Sequence, residues 1–277
     1  MNFYERAYKE LLHRARHSGR IISGRNGSTY SLFGEVLKIR LDGGFPLLTG
    51  RKMHLQGIVA ELACFIQGAE HLATYKTAGC NYWDANAEAW AANGQPAPLS
   101  IGQYVGSLWR RFKAHNEVLS GSSDDRDQLR TIQRELRDNP TSRRHVLAAW
   151  HPGAKSCLPP CTVMAIFDSD GKYLNCHVTQ RSADLCLGVP TDIAQYALLT
   201  HLLARDAGLL PGQLMFTFVN AHIYDQHVPV LVEYLSQPIK RLPRLRLGDC
   251  DTLSFSTEHF KVEGYEHGPN IKFPFVV

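Results

Sequence analysis

No apolar run of about 18 residues, the length a membrane-spanning helix needs, occurs anywhere in the 277-residue chain. The opening stretch, Met1 to Arg20, is charged and amphipathic and holds no apolar signal core. These two absences argue against a membrane span and predict a cytoplasmic protein. Charge of one sign is scarce as well. Thirty basic against 26 acidic residues leave a net charge of +4, too little to imply nucleic-acid binding, though it suits a small anionic substrate. The seven cysteines are an odd number in no tight metal-ligand pattern. Cys157 and Cys161 flank Pro159-Pro160, and no Cys/His pair stands nearby to complete a zinc site, so reduced thiols and no metal are expected. A zinc deaminase is excluded too, because no His-x-Glu accompanies a Cys-x-x-Cys. Neither an internal repeat nor a linker breaks the chain, which predicts one domain over 1–277.

What is present is an ordinary globular pattern, with 44% hydrophobic and 20% charged residues. The spacing of Tyr4, Ala7, Leu11 and Leu12 predicts a helix over 3–17, closed by Ser18-Gly19. Residues 29–41 alternate like a strand broken at Gly34. Residues 53–67 are strongly apolar and of helical length, with Glu61 inside them. A carboxylate there either turns to solvent or has a task, because burial without a partner is costly. Residues 86–102 and 120–125 read as surface loops, and 126–137 as a charged helix ended by Asn139-Pro140. Strands are expected at 145–150, 162–168, 172–180, 213–219, 244–247 and 259–262, and an apolar helix at 193–207. Without βαβ regularity, the predicted class is α+β with a mixed, largely antiparallel sheet packed by helices.

Cys161 follows Pro159-Pro160 at a loop-to-strand junction, where a thiol can be both exposed and fixed. Nucleophilic use needs thiolate, and cations at Arg143, Arg144 and Arg181 are available to favour it. A single cysteine is more often structural, but its context changes that reading. In order come Asn139-Pro140-Thr141-Ser142-Arg143-Arg144, Pro160-Cys161, Gln180-Arg181-Ser182-Ala183-Asp184, Leu187-Gly188-Val189-Pro190-Thr191-Asp192-Ile193-Ala194 and His222-Ile223-Tyr224. Ser23 to Gly27, Phe45 to Thr49, the Glu61 segment, Tyr82-Trp83-Asp84 and the Gly264 to Lys272 tail extend the pattern nearly end to end.

This series resembles the thymidylate synthase and deoxycytidylate hydroxymethylase superfamily. The resemblance implies a homodimer that uses a sheet face as its interface, with methylenetetrahydrofolate as co-substrate and no nucleic acid required. Cys161 would add to C6 of a pyrimidine nucleotide and make C5 a carbon nucleophile. Arg25, Arg181 and Ser182, with Arg143 and Arg144 from the neighbouring subunit, would hold the 5′-phosphate, a task that suits guanidinium forks. His222 and Tyr224, spaced to share a strand face, would bind the sugar hydroxyl. Glu61 would move protons. Trp83, Asp184, Leu187, Gly188, Arg51 and Val276 would contact the folate.

Departures from the family pattern carry information of their own. At the place of Asp192, thymidylate synthases have asparagine, while deoxycytidylate hydroxymethylases have aspartate. An ionised carboxylate only accepts hydrogen bonds, so it suits the 4-amino group and a protonated N3 of cytosine, although Asp192 could equally cap the next helix. Ser182 matches the members that use deoxynucleotides, which favours dCMP over CMP. The Ile271 to Val277 tail resembles a closing segment, and a sealed site favours hydride transfer and a methyl product over hydroxymethyl. Val105 stands where both branches have tyrosine, with Tyr104 beside it as a replacement. Thr162 and Ala183 also depart from the pattern. Ordinary dUMP methylation and a non-catalytic nucleotide- or RNA-binding relative are the rival readings, and the second leaves Cys161, Glu61 and Asp184 without a purpose.

Overall fold

The computed structural model describes residues 2–24, 27–93, 99–113 and 125–276. Helix α1 (Phe3–Ser18) buries Tyr4, Tyr8, Leu11, Leu12 and Ala15, the stripe that its spacing predicts, and the Asn2 side chain caps it by accepting from the Glu5 amide. Strands β1 (Arg20–Gly24) and β2 (Gly27–Arg40) form an antiparallel hairpin. β2 runs unbroken through Gly34, because the glycine takes φ +76° inside the strand instead of ending it.

Four helices follow: α2 (Leu55–Gln67), α3 (Leu72–Ala78), α4 (Asp84–Ala92) and α5 (Val105–Arg110). α2 is buried along nearly its whole length and stops at Gly68, whose left-handed φ of 69° turns its amide back to the Cys64 and Phe65 carbonyls. α5 crosses α2 so closely that a Cβ on Gly106 would sit 2.4 Å from the Phe65 Cα. α4 corrects the loop expected from residue 86 onward. Its alanines are the strongest helix formers, and they outweigh the asparagine and proline content that suggested a loop. A short pair, β3 (Phe112–Lys113) and β4 (Asp125–Arg126), precedes α6 (Gln128–Asp138). The loop expected at 120–125 lies outside the described residues apart from Asp125.

The remaining elements are β5 (His145–Ala148), β6 (Thr162–Ser169), β7 (Tyr173–Gln180), β8 (Ala183–Asp184), α7 (Gly188–Asp206), β9 (Leu210–Tyr224), α8 (Val228–Ser236), β10 (Arg244–Leu247) and β11 (Phe260–Glu263). The main sheet has seven strands in the order β1-β2-β9-β7-β6-β5, with β8 also on β9. Only β7 and β8 run parallel to β9, so the sheet is mixed and mostly antiparallel and the class is α+β. β9 outruns the span its alternation suggests because β2 pairs along one side and β7 and β8 along the other. Leu214, Phe216 and Phe218 of β9 are fully buried on the face that carries α7. Burying such side chains contributes about 1.5–3 kcal/mol each. The opposite face is uncovered: Val219 is 40% exposed, as is its β2 neighbour Val36 at 50%.

α7 begins five residues before the predicted start at 193. Pro190 falls in its first turn, where a missing amide proton is no loss. Asp192 therefore lies within the helix and does not cap it; Leu187 holds the cap position, without a side-chain bond. No helix among the described residues is long and apolar enough to cross a membrane.

Candidate active site

A cleft of about 690 Å³ opens between α2, α7, the start of α5 and tail residues 270–275. Eight residues singled out from the sequence line it: Arg51, Glu61, Trp83, Tyr104, Cys161, Leu187, Gly188 and Asp192. They come from five separate stretches of chain, which the sheet and its two central helices bring together.

Cys161 sits immediately before β6, where the β6–β7 register shifts between Thr162 and Met164. A bulge of this kind re-aims side chains beside a site. The Cys161 carbonyl accepts from the Arg181 amide at 2.9 Å. The Arg181 guanidinium donates to the Pro160 and Pro159 carbonyls at 3.0 and 2.9 Å and lies 5.2 Å over the Trp150 ring. The arginine thus clamps the loop that presents the thiol. Burial pushes the Cys161 thiol up to about 11, reinforced by Asp192 and opposed by Arg181. At neutral pH the free protein therefore holds a protonated thiol.

Two carboxyls line the cleft, Glu61 buried and Asp192 half-buried. Glu61 accepts from the Trp83 indole at 2.7 Å on Oε1 and from the Gln195 amide at 2.7 Å on Oε2. Burial nevertheless raises it to about 7, the two hydrogen bonds offsetting only part of the desolvation. Asp192 accepts from Gln180 Nε2 at 2.5 Å, and burial raises it to about 7 as well, with the charge of Glu61 adding to the effect. Both groups are thus poised to exchange protons near neutrality. Tyr104 packs edge-on against Trp83, with ring centroids 4.6 Å apart. Burial raises its phenol well above the usual range, with the charges of Cys161, Glu61 and Asp192, which line the same cleft, adding to the shift. Val105, the next residue, is buried and also faces the cleft.

The other candidates lie outside the cleft wall. β8 and β9 place Asp184 directly opposite His222. His222 and Tyr224 share a strand face, as their spacing predicts, with rings 5.1 Å apart. Burial lowers the pKa of His222. Asp184 accepts from the Cys186 amide at 2.9 Å. Ser182 is half-buried beside Arg181. Arg143 and Arg144 are exposed on the turn before β5 and form no ion pair among the described residues. Arg25 lies outside the described residues. Val276 is half-buried at the end of the tail, whose Ile271 and Phe273 are buried.

Sequence reasoning missed the residues that hold the carboxyls. Gln180 also donates to the Thr162 hydroxyl at 3.2 Å. This small hydroxyl can therefore serve in a network where the family usually carries histidine. Gln195 could have been noticed as an amide inside the apolar stretch Ile193 to Leu199. Arg51, buried 4.9 Å over the Phe273 ring, donates to the Cys186 carbonyl at 2.6 Å. Its Nε has no hydrogen-bond partner among the described residues. An orphaned guanidinium donor beside Trp83, Leu187 and Phe273 fits an aromatic co-substrate bearing carbonyl and carboxylate groups.

The family model described as thymidylate synthase matches residues 6–277, and the chain belongs to that family. Its members are one-carbon transferases that act on pyrimidine nucleotides with methylenetetrahydrofolate as co-substrate and need no metal.

Proposed function

We propose that this member of the thymidylate synthase family methylates dCMP at C5, with residues 1–277 acting as one catalytic domain. The observation that carries the choice of base is the Gln180–Asp192 hydrogen bond. Gln180 directs its amide N–H₂ to Asp192 and Thr162, so the second carboxylate oxygen is left as an acceptor for the nucleotide. Cytosine offers matching donors, its 4-amino group and a protonated N3. Uracil O4 offers none, and would face a carboxylate that must first take up a proton. A pKa near 7 lets Asp192 share a proton with N3, so recognition and activation of the ring fall to one residue.

The roles proposed for the individual residues come from the family resemblance, and the cleft geometry supports those that line it. The Cys161 thiol gives its proton to solvent as Sγ forms a bond to C6, and electron density moves onto C5. Arg181 steadies the loop during that step and, with Ser182, Arg25 and the neighbouring subunit's Arg143 and Arg144, holds the phosphate. His222 and Tyr224 bind the sugar hydroxyl. Glu61, fixed by Trp83 and Gln195, handles the protons lost and regained during addition and elimination. Bound methylenetetrahydrofolate supplies the one-carbon unit and, for a methyl product, the hydride. Trp83, Asp184, Leu187, Gly188, Arg51 and Val276 position it. The uncovered sheet face bearing Val36 and Val219 is the surface on which two copies pair.

Burial of Ile271 and Phe273 over the cleft supports water exclusion and a methyl product. Water capture, giving hydroxymethyl-dCMP, is the second reading; Val105, which faces the cleft, departs from both branches and does not separate them. Product mass decides between them after incubation with methylenetetrahydrofolate and dCMP, with dUMP and CMP in parallel. Methyl-dCMP is expected, hydroxymethyl-dCMP would move the assignment to the second reading, and dTMP from dUMP alone would refute the choice of cytosine.

A further inference from the structure

Glu5 is a carboxyl that the one-carbon chemistry leaves without a task. It stands in the first turn of α1, where an acidic side chain complements the helix end from the surface, yet it is fully buried. Burying such a group unaided is costly, and here five donors satisfy it. Its Oε2 accepts from the Asn2 side-chain amide at 3.2 Å, the Thr49 backbone at 2.8 Å and the Thr49 hydroxyl. Its Oε1 accepts from the Gly50 backbone at 2.8 Å and the Tyr234 hydroxyl at 2.9 Å. Gly50 is fitted to this carboxyl, since a Cβ there would stand 3.1 Å from Glu5 Oε1 and 3.0 Å from the Tyr234 ring.

The segment held in this way leads straight into the cleft wall. Arg51 follows Gly50 directly, donates to the Cys186 carbonyl and lies over the Phe273 ring. The same segment receives the tail. Gly268 donates to the Thr49 carbonyl at 2.7 Å, Lys52 to the Pro269 carbonyl at 3.1 Å, and the Tyr265 hydroxyl to the Leu48 carbonyl at 2.8 Å. From Asn270 to Phe273 the tail then lines the cleft. The two strands of chain lie so close that a Cβ on Gly268 would sit 2.3 Å from the Gly50 carbonyl oxygen. A shift of residues 49–50 is therefore passed on to Arg51 and to the tail it packs against.

We propose that Glu5 is a positioning residue for methylenetetrahydrofolate: without lining the cleft itself, its carboxyl fixes Thr49 and Gly50 and thereby sets Arg51 against the tail. The inference rests on the reading that Arg51 contacts the co-substrate. Glutamine at this place keeps the size of the side chain but cannot keep its bonds. Either orientation of the amide turns its N–H₂ toward a backbone N–H, that of Thr49 or that of Gly50. The segment then moves, or a buried donor stays unpaired, and a small displacement passed to a binding group is enough to weaken it. The Tyr234 hydroxyl ties the same carboxyl to α8 instead of to residues 49–50. Its loss touches stability and leaves Arg51 in place.

Steady-state kinetics with the nucleotide that the unmodified protein turns over, alongside calorimetric nucleotide binding, tests this. Glu5→Gln should raise the KM for methylenetetrahydrofolate by about tenfold and leave nucleotide affinity unchanged, whereas Tyr234→Phe should lower Tm and leave that KM unaltered. Arg51→Ala should raise the same KM, and adding Glu5→Gln to it should raise it less than about threefold further, because both act through one contact. If Glu5→Gln does not fold, Thr49→Val carries the test. It removes the hydroxyl that bridges Glu5 and the Lys240 amide and should raise the KM in the same direction. An unchanged KM in Arg51→Ala would overturn the underlying reading together with this inference. A KM raised in Arg51→Ala but unchanged in a folded Glu5→Gln, or in Thr49→Val where it stands in, would overturn the inference alone. So would full additivity in the double variant, or an equal rise in Tyr234→Phe.

Discussion

The inner end of the cleft and the arginine-bearing turn before β5 are built on opposite principles. Inside, two carboxyls, Glu61 buried and Asp192 half-buried, are held by neutral donors: Trp83 and Gln195 for Glu61, Gln180 for Asp192. Neutral donors fix geometry without stabilising the ionised form as strongly as a cation would, so burial wins and both groups rise to about 7. On the turn before β5 the charges are cationic, and Arg143 and Arg144 stand exposed, outside the cleft wall, without an acidic partner among the described residues. The inner end is preorganised for proton transfer, whereas the turn is free to meet an anion. Substitutions inside should therefore act on kcat, and those on the turn on KM and its salt dependence.

The largest effect is expected at the thiol. Cys161→Ser should abolish turnover while leaving nucleotide binding largely intact by calorimetry, and undiminished turnover would sink covalent catalysis. Next comes Glu61→Gln, which keeps the shape of the Trp83–Glu61–Gln195 cluster but removes its exchangeable proton. A fall in kcat of about 10²–10⁴ is expected, with the nucleotide KM little changed; a pure KM effect would place Glu61 in binding instead. On the turn before β5, Arg143→Ala should raise the nucleotide KM by about tenfold, with kcat nearly unaltered and the salt dependence reduced. A loss confined to kcat would contradict the contrast between the two ends.

The smallest effect is on stability. Glu61 rises from 4.5 to about 7 on folding, so between those values the native state binds more protons than the unfolded chain. Its contribution is therefore present at low pH and lost as pH rises through that window. Thermal melts should show Glu61→Gln gaining on the unmodified protein from pH 5 to 7, by about 2–4 °C per kcal/mol. A difference that is flat across this range would mean that Glu61 is not raised.

The same contrast explains what the sequence made legible. Class, most elements and eight residues of the cleft wall could be read, because periodicity marks buried faces and the Cys161, Glu61 and Asp192 motifs stand in a recognisable order. Gln180 and Gln195 were missed because an amide gives no local signal of what it holds; only the crossing of α2, α7 and β7 pairs each with its carboxyl. α4 was read as a loop because residues 86–102 were judged as one block, although the alanine-rich first half folds on its own propensity. Asp192 could be read as a helix cap because it directly precedes the apolar run from Ile193, but the helix opens at Gly188 and tolerates Pro190 in its first turn.

The central claim, that Asp192 selects cytosine, is tested most directly by kcat/KM for dCMP and dUMP in the unmodified protein and in Asp192→Asn. The account expects the unmodified protein to prefer dCMP and the variant to shift the ratio toward dUMP by about 10² or more. A preference for dUMP in the unmodified protein, or a ratio that Asp192→Asn leaves unchanged, would contradict it.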